Sequence, residues 1–429
     1  MRSSIFRVSL LLASAGGAAA QAKYDLLLKG GYVIDPKNKI SAVRDVAILD
    51  GKVAAVAPGI DSKLAAKTVS VSGMYVTPGL IDIHVHVYAG TGERGSYAGD
   101  NSVYPDGFGL RAGVTTMVDA GCAGWRNFED FKDKVIDRSR TRVLALLNIV
   151  GHGMRGGKWE QDLADMDAKP TAEMALRHKD VVVGVKTAHY GGPEWKPVEQ
   201  AVEAGNIARI PVMVDFGSNR LERPMRELVT KKLRPGDIYT HVYSGLRNEQ
   251  DDTGGASAGL IEGRKHGVFF DVGHGGGSFV WRVAVPLVKG GFLPDSISTD
   301  LHIGSMNAGM KDMLNVMSKF LALGLSVDDV IVRSTWNPAR QIRREELGHL
   351  TPGAIADISV LRLENGDFGF VDMHGARLAG RQKLLCEITL LGGKIAYDLN
   401  GLAKPDWDKL PKDYRSTADP RWDAGGRRR

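Results

Sequence analysis

Between Tyr24 and about Val71, apolar residues come in short runs broken by turn residues. Tyr24 to Lys29 leads into Gly30-Gly31, and Asp45 to Leu49 ends at Asp50-Gly51, with Lys52 to Val56 following. An Asp-Gly pair between apolar runs predicts a tight hairpin, because both central residues must take positive φ. The same style returns late, in Ala356 to Leu361 and in Ile388 to Leu391, Gly392-Gly393 and Lys394 to Tyr397. The two ends are therefore expected to pair into a small β-sandwich domain, discontinuous in sequence, from residues 23–73 plus 346–400.

Residues 74–345 follow a different rhythm, in which β-rich runs alternate with helical stretches. The strand candidates are Leu80 to Val87, Thr115 to Ala120, Val143 to Val150, Val181 to Thr187, Val212 to Phe216, Ile238 to Val242, Val268 to Val272 and Ser296 to Asp300. Helical candidates between them include Phe128 to Arg138, Pro197 to Arg209, Leu221 to Lys232, Ser257 to His266, Trp281 to Lys289, Met306 to Leu323 and Asp328 to Arg333. Eight parallel-type strands with helical connections predict a (β/α)8 TIM-like barrel. No G-x-G-x-x-G follows the first strand, which argues against a dinucleotide-binding sheet.

Composition narrows the class further. The chain has 429 residues, 43% of them hydrophobic and 25% charged, which suits a large packed core and not a disordered chain. The formal charge of +6 is spread thinly apart from Arg427-Arg428-Arg429, so no nucleic-acid partner is expected. Arg2 and Arg7, an apolar stretch from Val8 to Ala15 and the small residues near Ala20-Gln21-Ala22 read as a cleaved signal peptide over residues 1–22. A periplasmic or secreted protein is the resulting expectation. The apolar stretch is too short to span a bilayer, which takes about twenty residues. Residues 401–429 read as a C-terminal tail. Of the two cysteines, Cys386 lies in an apolar run and reads as a packed thiol. Apolar helices outside a barrel are compatible with a homo-oligomer.

Catalytic groups of a barrel gather at the C-terminal ends of its strands. Strand one ends in His84 and His86, two apart, so both point to one face and can grip one metal ion. Strand four ends in Lys186, strand five in Asp215, strand six in His241 and strand eight in Asp300, while strand seven runs on to His274. Each alone would pass as a satisfied core residue. Their convergence on one rim would not.

Ser72 to His86, with its Thr77-Pro78-Gly79-Leu80-Ile81-Asp82-Ile83-His84-Val85-His86, resembles the entry strand of the amidohydrolase superfamily. Gly113-Val114-Thr115-Thr116 and Asn337-Pro338-Ala339 resemble further features of it. The runs Val118 to Gly121, Gly236 to His241, Phe270 to Gly276 and Ser296 to Asn307 are similar to the deacetylase branch near the dihydroorotases. This resemblance implies two divalent metal ions, usually zinc. His84, His86 and Asp300 would hold one ion, Lys186 would bridge both as a carbamate formed from CO2, and His241 would hold the second. It further implies attack of a metal-activated hydroxide on an amide or ester carbonyl, with Asp300 as general acid–base. His274 and His302 would lie near the substrate.

Two departures stand out. The family usually carries His where this chain has Asp215, which can still ligate through oxygen and would suit manganese or iron as well as zinc. Relatives often carry Arg two residues after the lysine, whereas this chain reads Lys186-Thr187-Ala188-His189. His189, Tyr190 and, after strand three, His152 are the candidates for replacement substrate contacts. Cys122 lies where some relatives place a metal-bridging cysteine. The resemblance favours a small-molecule substrate, an N-acyl amino acid or an acyl-hydroxy acid. A cyclic amide of the dihydroorotase type is the alternative, and a non-catalytic metal-binding scaffold a third.

Overall fold

The computed structural model describes residues 22–217 and 220–411. The signal-peptide reading of residues 1–22 falls almost wholly outside the described residues, as do Arg427-Arg428-Arg429.

The two chain ends do meet in one sheet. Its strands are Tyr24–Asp35, Ile40–Leu49, Lys52–Ala57, Ala65–Ser70, Tyr75–Pro78, Ile358–Val371, Arg377–Leu391 and Lys394–Asp398. Tyr75–Pro78 joins the halves, pairing parallel with Tyr24–Asp35 on one side and antiparallel with Ile358–Val371 on the other. Asp50 and Gly51 take the positive φ values of 49° and 74° that the predicted hairpin requires.

The second sheet is parallel and seven-stranded, with strands in chain order: Leu80–Val85, Val114–Gly124, Arg142–Asn148, Val182–Thr187, Val212–Val214, Ile238–Tyr239 and Phe269–Phe270. The expected eighth strand is not a regular one. Residues 296–301 nevertheless link the two sheet edges: the Val272 amide donates to the Ser296 carbonyl, and the Asp300 and His86 amides bond across to the His84 and Leu301 carbonyls. Isolated parallel bridges Asp271–Ser296 and Val85–Leu301 mark the same closure.

Side chains alternate across a strand. Ile81, Ile83, Val118, Ala120, Leu144, Leu146, Val183, Met213 and Ile238 fill the interior of the curled sheet. Leu80, Met117, Val143, Ala145, Val182 and Val212 face outward onto the helices. Both faces are buried, which is why these strands read as nearly continuous apolar runs.

Two helices differ from expectation. The predicted Met306 to Leu323 helix is interrupted into Ile303–Asn307 and Met313–Ala322, with Gly309 pressed against the backbone of Val371 and Asp372 and Asp312 capping the second piece. The predicted Leu221 to Lys232 helix shrinks to Met225–Glu227 followed by a π-helical turn over Leu228–Lys232. Among the described residues no helix is long and apolar enough to cross a membrane.

Candidate active site

The strand ends bring His84, His86 and Asp300 together. Nε2 of His86 lies 2.8 Å from Oδ1 of Asp300, and Nε2 of His84 lies 3.6 Å from the same oxygen. All three are buried, and their ligand atoms lie within 4.8 Å of one another. Lys186, 1% exposed, places Nζ 3.1 Å from His84 Nε2 and 3.6 Å from the Met213 sulfur. Across the pit, His241 Nε2 lies 3.3 Å from Asp215 Oδ2.

Counting protons fixes what each imidazole offers. Thr240 Oγ1 donates to Asp271 Oδ2 at 2.8 Å, so it accepts from His84 Nδ1–H at 3.0 Å. The Cys122 thiol donates to the Tyr97 carbonyl at 3.0 Å, so its sulfur accepts from His86 Nδ1–H at 3.2 Å. His241 Nδ1–H donates to the Gly273 carbonyl at 2.5 Å. Each ring therefore turns an Nε2 lone pair inward, the arrangement typical of metal-ligating histidines. For His86 that lone pair faces a carboxylate oxygen across 2.8 Å. Two acceptors so close need a proton or a metal ion between them.

Lys186 fits the same requirement. Among the described residues it makes no ion pair, and its neighbours are an imidazole nitrogen and a thioether. Burial lowers its pKa, favouring the neutral amine. Burial and the nearby Lys186 likewise push His84 down to about 3, so it stays neutral. Burial would raise the Asp300 carboxyl, but His84 and His86 beside it hold it below the ordinary carboxylate range. These donors suit a divalent ion on chemical grounds.

Backbone strain gathers here. His189, His241 and Asp300 all adopt positive φ, at 58°, 65° and 52°. Such conformations cost a non-glycine residue energy and persist where the surroundings dictate them. Gly273 has no such cost, and a Cβ on it would sit 2.8 Å from His241 Nδ1 and 3.0 Å from His84 Nδ1. Any larger residue would disturb both ligands.

Asp215 has more partners than expected. Arg247 Nη2 donates to its Oδ1 at 2.5 Å, and the Gly217 amide donates to the same oxygen. Its Oδ2 faces both His241 Nε2 and His189 Nε2, each at 3.3 Å. Burial opposes ionisation of Asp215, yet His241 and Arg247 hold its pKa well below the usual carboxylate range. His189 Nδ1–H is donated in turn to Glu160 Oε1 at 2.8 Å.

The remaining candidates are distributed differently. His302 accepts from the Gly304 amide at Nδ1, which leaves Nε2–H as a donor, and its ring lies 6.1 Å from that of His86. His274 lies deeper than the other candidates. It is fully buried and stacked on Phe279 at 4.5 Å, with Nδ1–H donated to Gly275 O and Nε2 accepting from Lys319 Nζ, so it has no atom free for substrate. Tyr190 lies at the rim, its hydroxyl bonded to Glu194. His152 packs against Trp159, with ring centroids 4.5 Å apart and planes tilted by 55°. Cys122 stands behind His86, on its Nδ1 side, where its sulfur and Asp119 form with His86 a second group of ligand atoms within 4.8 Å of one another. Burial keeps its thiol protonated. Both cysteines are free.

Sequence reading missed Tyr97, Glu160, Arg247 and Asp271. Tyr97 covers the pit, with ring centroids 4.6, 5.1 and 5.8 Å from His86, His302 and His189. It comes from the loop after the first strand, where no periodicity marks it. Asp271 lies inside the quoted Phe270 to Gly276 run, and its position on strand seven below the strand ends was the available signal.

Comparison with known proteins agrees with this geometry. A profile of the amidohydrolase family matches residues 282–397. A deacetylase of Agrobacterium fabrum is 33% identical over 337 residues, covering 76% of this chain and 80% of its own. A deacetylase of Enterococcus faecalis is 30% identical over 384 residues, covering 87% and 99%. Among solved structures, an adenine deaminase superposes with a TM-score of 0.79 at 29% identity, covering 87% of this chain and 100% of its own. A dihydroorotase superposes with a TM-score of 0.75, also at 29% identity, covering 86% and 98%.

Proposed function

Because the chain belongs to the amidohydrolase family, we propose that it hydrolyses the amide bond of a small N-acyl amino acid, or the ester of an acyl-hydroxy acid, using two divalent metal ions. The hydrolase class and its C–N bond chemistry follow from the family; the substrate, the paired ions and the Lys186 carbamate are the proposal. The observation that carries it is the His86–Asp300 contact, in which an imidazole lone pair and a carboxylate face each other across 2.8 Å.

His84, His86 and Asp300 would hold one ion, Asp215 and His241 the other, and Lys186 both, as a carbamate. An ammonium cannot ligate a cation, whereas a carbamate offers two anionic oxygens. Bound metal lowers the pKa of water from about 15.7 to about 7 and polarises the scissile carbonyl. The chain itself supplies proton handling. Asp300 Oδ1 is committed to the histidines, while Oδ2 takes no hydrogen bond among the described residues, leaving it to accept the water proton and pass it to the leaving nitrogen or oxygen. His302 Nε2–H is a donor for the oxygen on which charge develops. Burial and the carboxylates of Asp300 and Asp215 keep the Tyr97 hydroxyl protonated, so it too can donate.

Deacetylase relatives favour the acyl-transfer reading over a cyclic amidase, while the dihydroorotase neighbour keeps the latter as the second reading. Export through cleavage near Ala22 is part of the proposal, and scavenging of an external amide would fit it. The deciding experiment incubates metal-reconstituted protein with N-acetyl-L- and N-acetyl-D-amino acids, O-acetyl hydroxy acids and dihydroorotate. Release of acetate is expected. Turnover of dihydroorotate alone, or a protein that retains no transition metal, would refute the reading.

A further inference from the structure

We infer that His189 is a ligand of the second metal ion, completing a set of His189 Nε2, His241 Nε2 and Asp215 Oδ2. The inference rests on the metal-dependent reading above. It starts from Asp215, whose Oδ2 faces two imidazoles at the same distance.

The wiring of His189 matches that of His84, His86 and His241. Its outer Nδ1–H is spent on a protein acceptor, the Glu160 carboxylate, at 2.8 Å. Its inner Nε2 then faces Asp215 Oδ2 at 3.3 Å, the same separation as His241 Nε2 from that oxygen. A carboxylate behind a ligating histidine is a recurrent support of metal sites. Arg247 and the Gly217 amide occupy Oδ1 of Asp215, so the carboxylate presents one oxygen between two imidazoles. Neither His302 nor His274 has this arrangement: one carries its proton on Nε2, the other accepts from Lys319.

The backbone is arranged for it as well. His189 holds φ at 58°, and the short helical turn Gly157–Gln161 clamps it from both sides. Glu160, 3% exposed, grips the ring, while Gln161 Nε2 donates to the His189 carbonyl and Gln161 Oε1 accepts the Gly191 amide. The ring is still about a third exposed, toward the mouth of the pit, where substrate must enter. Two imidazoles and one carboxylate form a set known for zinc and, with open positions, for iron(II).

The test is metal counting, not turnover. Wild-type protein, His189→Asn and Glu160→Ala are loaded with Co2+, desalted and assayed by elemental analysis and visible absorption. Asn tolerates positive φ, so His189→Asn keeps the backbone, and thermal melting checks folding. Two ions per chain are expected for wild type and one for His189→Asn. Glu160→Ala should keep both sites but weaken one by about 10- to 100-fold, as lost supporting contacts do. Should the His189→Asn variant fail to fold, the Glu160→Ala affinity decides alone. Two tightly held ions in both variants would overturn the inference and leave the hydrolase reading intact, making His189 an ion-pair partner of Asp215 and Glu160. A single ion in wild type would also overturn it. Wild type without metal would overturn the proposed function too.

Discussion

The Thr240 hydroxyl stands between His84 and Asp271, accepting from the imidazole at 3.0 Å and donating to the carboxylate at 2.8 Å. Asp271 also accepts from Ser296 and Ser298, at 2.6 and 2.7 Å. Strands one, six and seven and the closing segment are thus tied through one buried acid, and the orientation of the His84 ring depends on all of them.

Asp300→Asn keeps the shape of the side chain but cannot carry a proton. It is expected to lower kcat by about 100-fold or more, the range typical of a lost general acid–base. Acetate release by metal-loaded protein measures it, and an unchanged chemical step would remove Asp300 from that role.

Lys186→Met replaces a buried amine that has no ionic partner with an apolar side chain of similar length. The chelator-treated variant should melt at or above the wild-type temperature, because a buried amine without an ionic partner costs stability whether it stays charged or gives up its proton. The same variant should lose bound metal. A marked drop in Tm would mean that the amine has a structural partner.

Acid should destabilise the chelator-treated protein chiefly below about pH 4, through the unfolded carboxylate range. Burial holds His84 down to about 3, whereas an unfolded histidine titrates near about 6.5, so this group alone would lose stability as pH falls between those values. Burial raises Asp82 to about 7, so over the same window the folded chain holds a proton that the unfolded chain lacks, and the two effects oppose each other. The depressed Asp300 and Asp215 then lose their contribution as pH falls below about 4. Tm at about pH 7, 6, 5, 4 and 3 tests this, and a fall between about pH 7 and 5 as steep as that below about 4 would contradict it.

Lys319 separates structure from catalysis. Its Nζ donates to the Gly309 and Val371 carbonyls and to His274 Nε2. Lys319→Met strands these acceptors in a buried place and should cost about 3 kcal/mol, given about 1–3 kcal/mol for a single unsatisfied group. Urea unfolding reads the loss. Activity per folded molecule should persist, whereas a large fall in kcat would return His274 to the active site.

Much of the candidate site was legible because the converging polar groups sit at strand ends, where apolar runs stop. His84, His86, Lys186, His241 and Asp300 needed only that rule and the family motifs. Loops carry no such periodicity, so Tyr97, Glu160 and Arg247 were invisible. His274 misled because it too follows a strand, although a helix lysine far along the chain claims it. In the fold, Asn365-Gly366-Asp367 forms a bulge within the long hairpin of Ile358–Val371 and Arg377–Leu391. The hairpin turns at Asp372, whose side chain accepts the His374 and Ala376 amides. The expected eighth strand was placed correctly in sequence, but its bonds are split between two neighbours and never form a regular ladder.

The sheet shared by the two chain ends also sets the order of events during synthesis. Tyr75–Pro78 pairs early with Tyr24–Asp35, but its other edge waits for Ile358–Val371, delivered only after the whole parallel sheet has been made. Until then a growing polypeptide carries an open strand edge, the kind of surface on which neighbouring chains stick. Ribosome stalling inside the barrel would therefore yield fragments that clump, and the speed of elongation across that stretch bears directly on yield.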